Sequence, residues 1–157
     1  VIFLHQVDGD LVDSRELRSE IARHIRRIKP QVVLGHDPWK RYRLHPDHRH
    51  AGFLTCDAIV AARDPHFFKE HDIAHHRPQH LLLWEADEPD HGENISDFVE
   101  QKISALLAHV SQFESTMKAV DQMALDKFSE RMRQRMIALG HRIDRPAAEI
   151  FKKISDL

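Results

Sequence analysis

The sequence predicts an α/β fold, a Rossmann-like, mostly parallel sheet with flanking helices. Three observations carry this. Short apolar runs at 1–4, 31–35 and 81–84 alternate with longer stretches of helical periodicity, as strands joined by crossover helices do. The runs are continuous in apolar character, as in strands buried on both faces. Turn-forming Asp, Pro and Gly punctuate the segments between them, at 8–10, 35–47 and 89–92. The crossovers are expected to be right-handed.

Val1-Ile-Phe-Leu4 is β-type from its first residue, and a strand there needs a neighbour for its backbone groups. The expectation is therefore that the chain is the C-terminal part of a longer domain. After the turn Asp8-Gly9-Asp10, a helix is expected from Asp13, with Glu16 completing a capping box. Its apolar stripe is Leu17, Ile21, Ile25 and Ile28, and Pro30 stops it. A strand over 31–35 leads into a polar loop, then a helix from His48 to about Arg63, with Asp47 at its N-cap. Residues 64–79 lack any period and read as a loop, and the histidine cluster His75-His76 to His80, which lies before a strand, is expected to be solvated.

Leu81-Leu-Leu-Trp84 is the next strand, and 89–92 a turn. Ser96 opens a helix with Val99, Ile103, Leu106 and Val110 facing inward. A further helix is expected over 114–139, lined by Met117, Val120, Phe128, Met132 and Met136 and ended by Gly140. Pro146 is expected to start a short last helix. The domain reading is a single α/β domain over 1–157, with 114–157 as its C-terminal helical extension.

Composition narrows the function classes. At 157 residues, 41% hydrophobic and 31% charged, the chain suits one packed domain rather than a disordered segment. Lys and Arg number 23 against 25 Asp and Glu, so no basic field attracts nucleic acid. No apolar run approaches the ~20 residues of a membrane span. One cysteine, Cys56, excludes an internal disulfide and fits a reducing, cytoplasmic setting, where it packs as a small hydrophobe.

The unusual number is 14 histidines. Several fall in His36-Asp-Pro-Trp-Lys-Arg-Tyr-Arg-Leu-His45-Pro-Asp-His48-Arg-His50. This loop leaves the carboxyl end of one predicted strand and enters the start of the next helix. In open α/β sheets ligands bind there, where free helix N–H groups also point. Imidazole ligates zinc, and carboxylates orient such imidazoles. His45, Asp47 and His48 supply these parts within four positions. A His-x-His-x-Asp-His metallohydrolase motif fails by one residue, because Arg43 stands where its first histidine belongs.

The chain resembles the LmbE/PIG-L family of metal-dependent N-acetylglucosamine-type deacetylases. The resemblance rests on Asp8-Gly9, on Pro30-Gln-Val-Val-Leu34 followed by Asp37-Pro38, and on His45-Pro-Asp-His-Arg49 with Gly52. It continues in Lys102-x-x-Ala105-Leu106-x-x-His109-x-Ser111-Gln112, so that it spans roughly 8–113. It implies His48 as a metal ligand, with Zn2+ or another divalent ion. It implies His45 as the group that stabilises the oxyanion and protonates the leaving amine, and Asp47 as the residue that orients His45. Three departures stand out: Asn94 replaces a frequent Asp, Tyr42 is not placed where some members carry an active-site tyrosine, and the family's first motif, Ala-His-Pro-Asp-Asp-Glu, with two ligands and the base, has no counterpart.

The function expected is hydrolysis of an N-acetyl group on an amino-sugar conjugate, a small-molecule substrate, with the site incomplete in this chain. Two alternatives stay open: an inert binding or assembly module that keeps the fold, and another metallohydrolase such as a phosphoesterase. Arg49 and Tyr42 are candidate substrate contacts, for an anionic group and for stacking on a sugar ring; otherwise Arg49 solvates the helix start and Tyr42 packs the loop down. Trp39 either stacks likewise or packs the loop down, and His36 shapes that loop. Asp37 and His109 are candidates for supporting positions around the metal. A homo-oligomer is left open.

Overall fold

The first helix starts one residue later than its capping box suggests. In the computed structural model, which describes residues 1–157, α1 spans Arg15–Ile28 and Ser14 is its N-cap, accepting from Leu17 N. Asp13 instead pairs with Arg18 at 2.9 Å. Lys29 ends α1 in the left-handed region. Leu17, Ala22 and Ile25 are buried as the periodicity requires, but Ile28, on the last turn, is exposed.

The chain divides into two compact units, residues 1–91 with 151–157, and residues 92–150. In the first, β1 (Val32–His36) pairs in parallel with β2 (His80–Trp84), Leu34 opposite Leu82. The crossover between them is α2, Pro46–Arg63. The expected strand at 1–4 is not formed: Val1, Ile2 and Phe3 are exposed, and no strand offers them hydrogen bonds. On its other edge β2 pairs antiparallel with β4 (Ala148–Ser155), Trp84 opposite Phe151 and His80 opposite Ser155. This replaces the helix expected after Pro146. Ile154 and Phe151 gain a buried partner strand in β2, and that pairing overrides helix propensity.

The core of this unit is Ala22 and Ile25 of α1 against Ala58, Ile59, Ala61 and Ala62 of α2, with Leu81, Leu83, Phe68 and Leu157. Small residues along α2 let the two helices approach closely. Residues 64–79 are less solvated than expected. Lys69–His71 form a 3-10 turn, His71 and Pro78 are buried, and His76 contacts the Pro30 carbonyl at 2.8 Å.

Arg26 explains this ordering. Its side chain, 2% exposed, has no acid partner. It donates Nε to Ala62 O, Nη1 to Phe68 O, and Nη2 to the carbonyls of Ala61, Asp64 and Phe67, at 2.8–3.2 Å. A helix leaves its last carbonyls unpaired, and a cation at that end meets the negative pole of the dipole. Arg26 is therefore the C-terminal cap of α2 and the anchor of the loop after it.

In the second unit a 3-10 turn at Ser96–Phe98 precedes α3, Val99–Leu107. Ile103 is buried, whereas Val110 lies beyond the helix end and is exposed. The residues expected to begin a long helix at 114 form one π-turn, Phe113–Met117, closed by left-handed Lys118. Asp121 then caps α4, Gln122–His141. Met117, Phe128 and Met136 are buried as expected, and Val120 is exposed. Gly140 does not end α4 in a left-handed cap. A Cβ there would sit 2.4 Å from Arg145 O and 2.7 Å from Ala147 N, so the glycine admits the returning chain. The expected turn over 89–92 contains the start of a strand, β3 (His91–Asn94), which lies beside β4.

Replacing Arg26 with Met roughly keeps the volume and takes the side-chain donor from the Ala61 and Phe67 carbonyls, each loss costing about 1–3 kcal/mol unless water reaches the oxygen, while Ala62 O and Phe68 O keep a backbone donor. Urea denaturation of R26M is expected to show a loss of about 3 kcal/mol. A loss below about 1 kcal/mol would contradict the capping role.

Candidate functional site

The site is built in the first unit from two strand ends and one helix start. His36 is the last residue of β1, and Glu85 follows the last residue of β2. Between β1 and α2 the loop is shaped by buried Asp37, whose Oδ1 accepts from Trp39 N at 2.9 Å. It is strapped to the chain after β2 by Lys40 Nζ on Glu85 O (2.7 Å) and Arg41 N on Asp87 Oδ2 (2.8 Å).

The helix that follows starts at Pro46 with His45 at its N-cap, and Asp47 lies in its first turn. This corrects the expected cap at Asp47: proline is preorganised for the first helical position, and it moves the boundary back. His45 makes no side-chain capping bond. Asp47 Oδ2 accepts from Gly9 N at 2.7 Å, and Asp47 Oδ1 is buried without a partner. The Asp8-Gly9 turn is thereby tied to the start of α2. Nearby, His50 Nδ1 contacts the Leu11 carbonyl.

Three imidazoles form a row. His36 stacks on His48 with centroids 4.4 Å apart, and His48 stacks on His45 at 4.9 Å. The Arg43 guanidinium lies against the first two, with Nη1 3.0 Å from both His36 Nδ1 and His48 Nδ1. Its Nη2 donates to Glu85 Oε2 at 2.6 Å. Trp84 Nε1 also donates to His36 Nδ1, at 2.9 Å. An arginine offers no acceptor, so both Nδ1 atoms accept, and each neutral ring carries its hydrogen on Nε2.

Two groups of donors could hold a cation: His36, His48 and Glu85, and Asp8, His45 and Asp47. Within each group the donor atoms lie within 4.8 Å of one another. Two imidazoles and a carboxylate make a zinc-type set by chemistry. The first group fits a divalent ion in donor identity, while Arg43 engages all three of its members.

These charges set the titration of the site. Burial, reinforced by the neighbouring His48 ring and the Arg43 charge, pushes the His36 imidazole down to about 4. Burial pushes the Glu85 carboxyl up, but the hydrogen bond and charge of Arg43 outweigh it and leave it below its usual value. Away from the site, burial raises the Cys56 thiol to about 11, which fits a packing role.

Of the residues singled out from sequence, His45, Asp47 and His48 come together at the helix start. The Arg49 guanidinium donates to the Arg43 carbonyl and braces the loop. Tyr42 is 93% exposed with φ +58°. Trp39 packs edge-on to Phe53. His109 belongs to the second unit, exposed in the turn after α3. Sequence reasoning gave His36 only a loop-shaping part and missed Glu85, Trp84 and the inward Arg43. The strand-end rule that selected the His45 loop applies equally to the residue after Trp84, and would have found Glu85.

A sequence profile of the PIG-L family, described as GlcNAc-PI de-N-acetylase, matches residues 1–59. The chain is 41% identical over 109 residues to a diacetylchitobiose deacetylase of Thermococcus kodakarensis, covering 68% of this chain and 41% of that protein. It is 26% identical over 119 residues to a probable N-acetyl-alpha-D-glucosaminyl L-malate deacetylase 2 of Bacillus anthracis, covering 73% and 49%. Among solved structures, N,N'-diacetylchitobiose deacetylase from Pyrococcus horikoshii, complexed with its inhibitor MPG, matches with TM-score 0.80 and 28% identity. That match covers 97% of this chain and 56% of the other. The chain thus spans about half the length of the curated relatives it matches.

The depressed His36 value has a definite sign. Below about pH 6.5 the unfolded chain binds a proton that the folded chain refuses until about pH 4. Stability from this residue is therefore complete above about 6.5 and lost progressively as pH falls to about 4. Urea midpoints of the chain and of His36→Gln, compared at neutral pH and near pH 4, are expected to converge in acid. Parallel curves would contradict the assignment.

Proposed function

Because the chain belongs to the PIG-L family, we propose that it is part of a metal-dependent deacetylase that removes the N-acetyl group of an N-acetylglucosamine-type conjugate. The observation that carries this reading is the His45-Pro-Asp-His48 turn, whose two imidazoles stack at the start of α2 beside the carboxyl ends of β1 and β2. The relatives are named for acetylated amino sugars, diacetylchitobiose and a glucosaminyl malate. Activity is proposed for a protein of the relatives' length that contains these 157 residues, which we take as part of one α/β domain.

An amide resists hydrolysis because its carbonyl is a weak electrophile and its nitrogen a poor leaving group. A divalent ion, zinc in this proposal, supplies Lewis-acid polarisation and an acidified water. His48 is its proposed ligand. His45 is the proposed catalytic residue, an exposed imidazole that faces charge developing on the carbonyl oxygen and hands a proton to the departing nitrogen. Asp47 is its positioning residue: the Gly9 N–H fixes one carboxylate oxygen, and the other is buried without a partner beside the His45 ring. Tyr42 offers an open aromatic face for a sugar ring, and Arg49 a cation at the loop base. Asp37 holds the loop that carries them.

A second reading, an inert binding module, is favoured by one observation, the Arg43 guanidinium lodged among the donors. Two variants separate the readings in a protein of the relatives' length, assayed by acetate release from diacetylchitobiose. His45→Ala is expected to keep bound zinc and lose about 10²–10⁴ in kcat. His48→Ala is expected to lose zinc and rate together. Unchanged rates and zinc content in both would end the assignments of His45 and His48, and no acetate release from the unsubstituted protein would leave the inert module. The 157-residue chain alone is expected to bind zinc weakly by equilibrium dialysis, and tight stoichiometric zinc would contradict the present ligand assignment.

A further inference from the structure

The Arg43 side chain is 6% exposed, and everything it touches could instead bind a metal. Its Nη1 meets two imidazole Nδ1 atoms and its Nη2 a carboxylate oxygen. The other buried arginine, Arg26, differs: five backbone carbonyls receive it and one imidazole, His71 Nδ1, lies 3.3 Å from its Nη1, with no carboxylate. A guanidinium is permanently charged and purely a donor. A set of lone pairs that converges on it is a set that a divalent ion of the zinc class would also accept.

We propose that Arg43 is a built-in cation of the His36–His48–Glu85 cluster and that it competes with a divalent metal for these three residues. The inference rests on the reading of His48 as a ligand and adds His36 and Glu85 to it as alternative donors that Arg43 guards. The surroundings suit a side chain that moves. Arg43 lies between Tyr42, at φ +58°, and Leu44, and both neighbours are largely exposed. Glu85 is itself half exposed, at 47%, so water receives its charge when the guanidinium leaves. The row of rings stays braced without Arg43, because Trp84 also donates to His36 and the stacking of His48 on both neighbours is independent of it. Arg43 and the metal therefore exclude one another, and the guanidinium weakens metal binding by the free energy needed to displace it.

The test uses cobalt(II) as the probe, followed by its visible d–d absorption, on the 157-residue chain. Arg43→Met is expected to bind Co2+ at least about ten-fold more tightly than the unsubstituted chain, the scale on which groups contacting ligands tune a site. The gain is expected to vanish in Arg43→Met/His36→Gln and in Arg43→Met/Glu85→Gln. Equal affinity of Arg43→Met and the unsubstituted chain would overturn the proposal, as would a gain that survives both second substitutions. A measurement without substitution guards against misfolded variants. Long-range 1H–15N spectra of the metal-free chain are expected to show His36 and His48 with hydrogen on Nε2. They are expected to show the Arg43 Nε–H signal changing on zinc saturation. The opposite tautomers, or an unmoved Arg43 signal at saturation, would overturn it. Loss of zinc in His48→Ala bears on the deacetylase reading, whereas the ten-fold gain bears on Arg43, so the two fail separately.

Discussion

The first unit turns on one close approach between the start of α2 and the end of β1. At Gly52 a Cβ would lie 2.7 Å from the His36 carbonyl oxygen and 2.9 Å from Pro38 Cβ, so any other residue pushes the helix away from the strand end. That contact is one turn beyond His48, and it sets the distance between the His36 and His48 rings. Their stacking at 4.4 Å and the reach of one guanidinium nitrogen to both Nδ1 atoms exist only at this separation. A hydrogen bond near 3.0 Å weakens steeply when stretched, so a helix displaced by the width of a methyl group would break at least one of the two. The glycine is four residues after His48, and it does for the site what no polar residue in the motif can do alone.

Part of the molecule is legible in the sequence, and part is decided by contacts distant in the chain. α1, α2 and β2 follow from periodicity, because their buried faces pack on one another, whereas β1, at the edge of the sheet, exposes Val32 and Leu34 instead of burying both faces. β4 is not legible locally, because Ala148-Glu-Ile-Phe-Lys-Lys-Ile-Ser155 has no decisive period of its own and follows a proline that suits a helix start. Its state is decided by the edge of β2, about 70 residues earlier. Residues 113–121 looked continuous with α4, but their π-turn and left-handed Lys118 break the helix without a proline or glycine to announce it. The candidate site divides in the same way. His45, Asp47 and His48 are contiguous and could be read directly. His36, Trp84 and Glu85 meet them only through the parallel pairing of β1 with β2, which puts His36 opposite Trp84.

Two buried arginines in one unit illustrate how the partner decides what a cation means. Arg26 faces backbone carbonyls at the end of α2 and in the loop after it, neutral acceptors that are poor ligands for a zinc-class ion. Its position is an outcome of helix termination and has no alternative state. Arg43 faces two imidazole nitrogens and a carboxylate, groups with a second possible partner. Burial alone does not separate the two, since both are nearly inaccessible. The chemistry of the acceptors does, and it makes one arginine a structural cap and the other a competitor in an equilibrium.

The row of rings also has a direction. At one end His36 lies under a guanidinium and an indole N–H, so its environment favours neutral nitrogen bases. At the other end His45 stands beside the carboxylates of Asp8 and Asp47. His48, in the middle, stacks on both. Amide hydrolysis as proposed requires two settings a few ångströms apart, a cation-binding set of unprotonated nitrogens and a proton-handling imidazole supported by acid. The fold separates them by drawing the first set from strand ends and the second from the helix start with the Asp8-Gly9 turn docked on it. That division assigns His48 to the boundary between them, and makes the loss of its ring a disturbance of both functions at once.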